Sequence, residues 1–105
     1  EIIVVGLSHR TAPVETREQV AITEAEMAAA YRRLLERPHV EEGVIVSTCN
    51  RVEVTAATRD AEAALADLVG FLARAEHVDD EQVRRHLTVF RGDDAVRHLF
   101  RVACS

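Results

Sequence analysis

The stretch from Val44 to Ala56 constrains the fold more than any other. An apolar run, Val44 to Val46, gives way to Ser47-Thr48-Cys49-Asn50-Arg51. The pattern then resumes as an alternation, Val52, Val54 and Ala56, with Glu53 and Thr55 between them. Two strand-like patterns this close leave room only for a tight turn, which fixes an antiparallel pair in mid-chain. Asn50 tolerates the positive φ that a two-residue hairpin loop requires. The turn then holds Cys49 at its tip, with Thr48 before it and Arg51 after it.

The rest of the chain is arranged around that hairpin. Ile2 to Leu7 is a continuous apolar run of strand length, as expected of a strand covered on both faces. The polar loop Ser8-His9-Arg10-Thr11-Ala12-Pro13 leads into a short helix over Val14–Ile22, with Pro13 at its start. Thr23 and Glu26 then stand at capping-box spacing, with Ile22 and Met27 at the positions of a hydrophobic staple. Met27, Ala30, Tyr31, Leu34 and Leu35 recur at helical spacing until Pro38 ends the helix. Beyond the hairpin, Asp60 caps a helix whose core face is Ala61, Leu65, Leu68, Val69 and Leu72. Asp79-Asp80 cap a short helix to about His86, and Leu87 to Phe90 is a short strand. Gly92-Asp93 open a last helix with an apolar face of Val96, Leu99, Phe100 and Ala103. The order is β-α-β-β-α-β with a trailing helix. This is an α+β chain on the ferredoxin-like, split βαβ plan with an antiparallel sheet.

Composition narrows the function. At 105 residues the chain is one domain, 1–105, with a single core. No apolar run approaches the ~20 residues of a membrane span, and no secretory signal is visible. Two cysteines are not a disulfide framework, so a reducing, cytoplasmic setting is expected. Cys and His do not recur at zinc spacing, so no metal is expected. All 13 basic residues are arginine, which removes Schiff-base and lysine general-base chemistry. A net charge of −5 argues against a general nucleic-acid binder, although residues 84–105 are locally basic. There is no G-x-G-x-x-G, hence no dinucleotide fingerprint in this chain. The chain opens without Met, and its last helix lacks a stop signal, so the natural protein is expected to extend further.

Among the reactive side chains Cys49 stands first. A free cysteine is commonly a small buried hydrophobe, but the flanks here are polar and a hairpin tip buries little. Arg51 beside it favours the thiolate, the nucleophilic form. His98 projects almost opposite the apolar stripe of the last helix, near Arg101. It is either solvent-facing or part of a site lying across from the domain core. Cys104 is expected to pack, and His9 and Arg10 to belong to a generic loop.

Three blocks then carry a family resemblance: Val5-Gly6-Leu7-Ser8-His9-Arg10-Thr11-Ala12-Pro13-Val14-Glu15, Ser47-Thr48-Cys49-Asn50-Arg51-Val52-Glu53, and His98-Leu99-Phe100-Arg101-Val102-Ala103. In this order they resemble the N-terminal catalytic domain of glutamyl-tRNA reductase. The resemblance implies reduction of glutamyl-tRNA to glutamate-1-semialdehyde for tetrapyrrole synthesis. It makes Cys49 the nucleophile that forms a thioester and His98 a residue needed for activity. Thr48, Asn50 and Arg51 fall in the substrate-binding block. NADPH is implied as the cofactor, bound by a domain that this chain lacks, as is a homodimer of the full-length protein. Glutamate-1-semialdehyde aminomutase, the next enzyme, is a further implied partner. The alternative is a non-catalytic RNA-binding or small-molecule regulatory domain of the same fold, which a ferredoxin-like plan alone does not separate from an enzyme.

Overall fold

A computed structural model describes residues 1–74 and 80–104. Its elements are β1 (Ile2–Ser8), α1 (Val14–Val20), a 3-10 turn (Glu24–Glu26) continuing into α2 (Met27–Leu35), β2 (Glu42–Ser47), β3 (Arg51–Ala57), α3 (Ala61–Arg74), α4 (Asp80–His86), β4 (Thr88–Arg91) and α5 (Asp93–Ala103). The four strands form one antiparallel sheet in the order β2-β3-β1-β4. This is the split βαβ plan: each of the central strands, β1 and β3, lies between strands that run opposite to it. Asp79 lies outside the described residues.

Local signals account for most boundaries. The capping box is complete, with the Thr23 hydroxyl accepting from the Glu26 N–H and the Glu26 carboxylate accepting from the Thr23 N–H. Asp60 Oδ1 accepts from the Ala63 N–H at the start of α3. The first helix ends at Val20, two residues short of the expected Ile22, because Ala21 takes an extended ψ of 144°. Ile22 then anchors to the hairpin through its N–H to Ser47 Oγ.

Alternation gives the sheet two unlike faces. Ile3, Val5 and Leu7 of β1 and Val52, Val54 and Ala56 of β3 point to one side. There they pack with Ala30 and Leu34 of α2, with Ala64, Leu68, Val69, Phe71 and Leu72 of α3, and with Val83 of α4. The other side carries Val4, Gly6 and Ser8 of β1, Arg51, Glu53 and Thr55 of β3, and Thr88 and Phe90 of β4. Among the described residues, α5 is the helix that lies over this second face.

The orientation of α5 differs from expectation. Its apolar stripe points outward, with Val96 41%, Leu99 36% and Phe100 70% exposed. The residues turned to the sheet are Ala95, fully buried, and His98 and Val102, partly buried. The helix thus lays its more polar side on the second face, because what it meets there is a row of polar side chains. Cys104, expected to pack, is exposed at the end of α5.

Candidate active site

The hairpin loop is the two residues Cys49 and Asn50, closed by Thr48 and Arg51. Thr48 N–H donates to the Arg51 carbonyl at 2.8 Å. In return, the Arg51 N–H donates to the Thr48 side chain, Oγ1, at 3.2 Å, and so does the Asn50 N–H. Threonine at this position therefore builds the turn, its hydroxyl oxygen serving as a local acceptor. Two outside groups fix the tip. His9 N–H donates to the Asn50 carbonyl at 2.8 Å, and Arg17 Nη1 of α1 donates to the Cys49 carbonyl at 2.6 Å. The loop after β1, read from sequence as generic, thus lies against the turn that holds Cys49.

The tip opens into a cleft of about 900 Å³ on the second face of the sheet. Cys49, Asn50, Arg51, Glu53, Phe90 and His98 all line it, and His9, Arg10 and Arg101 stand along it as well. All five candidate residues from the sequence are brought together: Thr48, Cys49, Asn50, Arg51 and His98. Cys49 is exposed, so its thiol is open to a large substrate.

His98 does not bond to Cys49. Its Nε2 lies 2.7 Å from Glu53 Oε2, and its ring stacks on Phe90 with centroids 4.1 Å apart and planes 13° apart. Glu53 also receives Arg51 Nη1 at 3.3 Å. The side chains of Glu53, His98 and Arg51 are 9%, 12% and 22% exposed. A carboxylate this buried requires cationic or hydrogen-bonding partners, and it has both. An ionised Glu53 only accepts, so the hydrogen in this contact sits on His98 Nε2. In the neutral ring the lone pair is then on Nδ1, which can accept a proton.

Gly6 makes this geometry possible. It sits opposite Glu53 in the sheet, and the Glu53 side chain passes across it toward His98. A Cβ at Gly6 would collide with the Val52 carbonyl oxygen and stand 2.7 Å from Glu53 Cγ.

Glu53 and Phe90 are, with His9, Arg10 and Arg17, residues of the site to which sequence reasoning gave no role there. Glu53 read as the polar half of an alternating strand, and Phe90 only as the end of a short one. The signal was the pairing of a glycine and a glutamate across β1 and β3, visible only once the register is known.

A dinucleotide finds no cradle in the loop that leads from β1 into a helix. Its four N–H groups are all engaged: His9 with Asn50 O, Arg10 with Ser8 Oγ, and Thr11 and Ala12 with Ser8 O. Pro13 has none. Such a loop offers no free amides to a pyrophosphate. Among the described residues, no group of three or more His, Cys, Asp or Glu could hold a metal ion, and no helix is long and apolar enough to cross a membrane.

Fold and cleft define a ferredoxin-like α+β domain that presents a cysteine to a His–Glu–Arg cluster. The family model described as glutamyl-tRNAGlu reductase, N-terminal domain, matches residues 5–105. The chain belongs to that family. It is similar to the glutamyl-tRNA reductase of Citrifermentans bemidjiense, 49% identical over 104 residues, which are 99% of this chain and 24% of the relative. The same enzyme of Geotalea daltonii is 50% identical over 104 residues, with the same coverage of 99% and 24%. Among solved structures, glutamyl-tRNA reductase from Methanopyrus kandleri superposes with a TM-score of 0.68 at 34% identity, over 97% of this chain and 22% of that one. The chain therefore spans about a quarter of the length of the relatives it matches.

Proposed function

We propose that this domain performs the acyl-transfer half of glutamyl-tRNA reduction. The observation that carries the reading is the shared cleft: a thiol on a turn fixed from two sides, facing an arginine and a histidine held by one buried carboxylate. The Cys49 thiolate attacks the carbonyl carbon of the aminoacyl ester. The S–C bond forms, the ester C–O bond breaks, and the ribose oxygen leaves with a proton. His98 moves that proton: Nδ1 takes it from the Cys49 thiol as the thiolate forms and gives it to the departing ribose oxygen, with Glu53 steadying the ring while it is charged. The planar fork of Arg51 meets the substrate's side-chain carboxylate, which separates glutamyl from glutaminyl esters. Thr48 and Asn50 bound the amino-acid end of the cleft.

The product in this domain is a glutamyl thioester on Cys49. Its reduction to glutamate-1-semialdehyde by NADPH is assigned to the rest of the full-length protein. The same reading carries a cytoplasmic homodimer that feeds glutamate-1-semialdehyde aminomutase in tetrapyrrole synthesis. An RNA-recognition module is less well supported. Its stacking aromatics belong on the central strands, whereas Phe90 stands on edge strand β4 and is already covered by His98.

The test is release of tRNA from labelled glutamyl-tRNA by the full-length protein without NADPH. One equivalent should be released quickly, with the label retained on the protein and discharged by hydroxylamine. Cys49→Ser should release none. Equal release by that variant contradicts the proposal.

A further inference from the structure

The acyl-transfer reading leaves one cation at the nucleophile's turn without a role. Arg17 sits on α1, 32 positions from Cys49 in sequence. Its guanidinium spans two backbone carbonyls: Nη1 donates to Cys49 O at 2.6 Å and Nε donates to Ala12 O at 3.3 Å. Among the described residues, the bond to Arg17 is the one hydrogen bond that Cys49 makes. Cys49 and Asn50 lie beyond the last cross-strand pair, so the sheet itself does not set their orientation. The Thr48 hydroxyl shapes the loop from within and His9 holds Asn50, which leaves Arg17 as the group that holds the peptide of Cys49.

We propose that Arg17 is a positioning residue for the nucleophile. It latches the tip of the hairpin to α1 and so presents Cys49 Sγ to the cleft in one orientation. The fork geometry suits this, because a guanidinium donates to two carbonyls at once from a fixed plane. Misplacement of a reacting atom by about 1 Å costs on the order of 100-fold in rate, so a loosened tip is expected to act on the rate of attack. The substrate's own contacts, at Arg51 and around the cleft, are left as they were.

The inference rests on the acyl-transfer reading, and two measurements on the full-length protein separate them. The first is the single-turnover rate of tRNA release from glutamyl-tRNA. Arg17→Met should lower the saturating rate by roughly 10- to 100-fold, with little change in the concentration that half-saturates it. Arg17→Lys, which keeps the charge and one donor, should fall between the two. A role in stability alone would lower the fraction of active molecules and leave the rate of each unchanged. The second is hydrogen–deuterium exchange. In Arg17→Met the amides of residues 48–51 should exchange roughly ten times faster, with β1 and α3 unchanged, since local opening scales with the contacts that are lost. Unaltered exchange at the turn overturns the latch even where the wild type transfers the acyl group normally. So does a wild-type rate in Arg17→Met, or a loss confined to half-saturation. A wild-type protein that releases no tRNA overturns the acyl-transfer reading, and the latch with it as a device for that reaction. The exchange result then says only whether the contact exists.

Discussion

Glu53 is the residue on which the cleft depends. It accepts from both His98 and Arg51 and is nearly buried, so two side chains of the cleft share one electrostatic anchor. The anchor in turn depends on a residue with no side chain. Gly6→Ala would push Glu53 off its line to His98, because the added Cβ has no room between Val52 O and Glu53 Cγ. Forcing a methyl into such a site costs about 1–3 kcal/mol. The expected outcome is a lower urea midpoint together with acyl transfer reduced at least ~10-fold. Full activity in Gly6→Ala would show that the Glu53–His98 contact is not needed. Arg51→Lys tests the other arm of the anchor. It keeps the charge and loses the fork, so single-turnover acylation of the protein by glutamyl-tRNA should drop sharply. The preference over glutaminyl-tRNA should shrink as well. A variant that acylates normally removes the carboxylate clamp from the mechanism.

At the scale of elements, the parts governed by local chemistry were legible in the sequence. The Thr23/Glu26 capping box, the Asp60 cap, the two-residue hairpin and the strand order implied by β-α-β-β-α-β all follow from spacing and turn residues, and the structure has them. What spacing does not fix is which side of a helix meets the sheet. The Val96, Leu99 and Phe100 stripe has good helical periodicity, yet it stays exposed while His98 and Ala95 turn inward. Periodicity reports that a helix is two-sided; the polar row Arg51, Glu53 and Thr88 decides which side faces the sheet. The reach of His9 and Arg10 to the cleft was hidden for a like reason, since loop position follows from the register of β1 on β3. The capping box makes a prediction of its own. Hydrogen bonds from the Thr23 backbone and side chain hold the Glu26 carboxyl below its ordinary pKa of 4.5. A lowered folded-state pKa contributes stability above the unfolded value, and that contribution is lost as pH falls through the folded one. The difference in Tm between wild type and Glu26→Ala should therefore be full at neutral pH and shrink below about pH 4.5. A difference that persists unchanged in acid would mean that charge has no part in the cap.

For the whole molecule, the two faces of the sheet divide the work. One face carries the packed core under α2, α3 and α4, and the other carries the cleft under α5. The cleft thus rests on strands backed by a full core, with Cys49 on the short loop that joins β2 to β3 and His98 on the helix above. On the proposed reading Cys49 is the nucleophile, His98 the proton carrier and Arg51 the carboxylate-binding group, while the N–H groups of the β1–α1 loop are all engaged within the chain. Supplied with glutamyl-tRNA and NADPH, the 105-residue chain alone should release tRNA and then glutamate as water cleaves the thioester, with no semialdehyde formed. Semialdehyde from this chain would place the hydride chemistry here after all. The most direct test of the account is peptide mapping by mass spectrometry after acid quench of the full-length protein with glutamyl-tRNA and no NADPH. The account predicts one glutamyl adduct, on the peptide that holds Cys49. An adduct on Cys104 instead, or none while tRNA is still released, would contradict it.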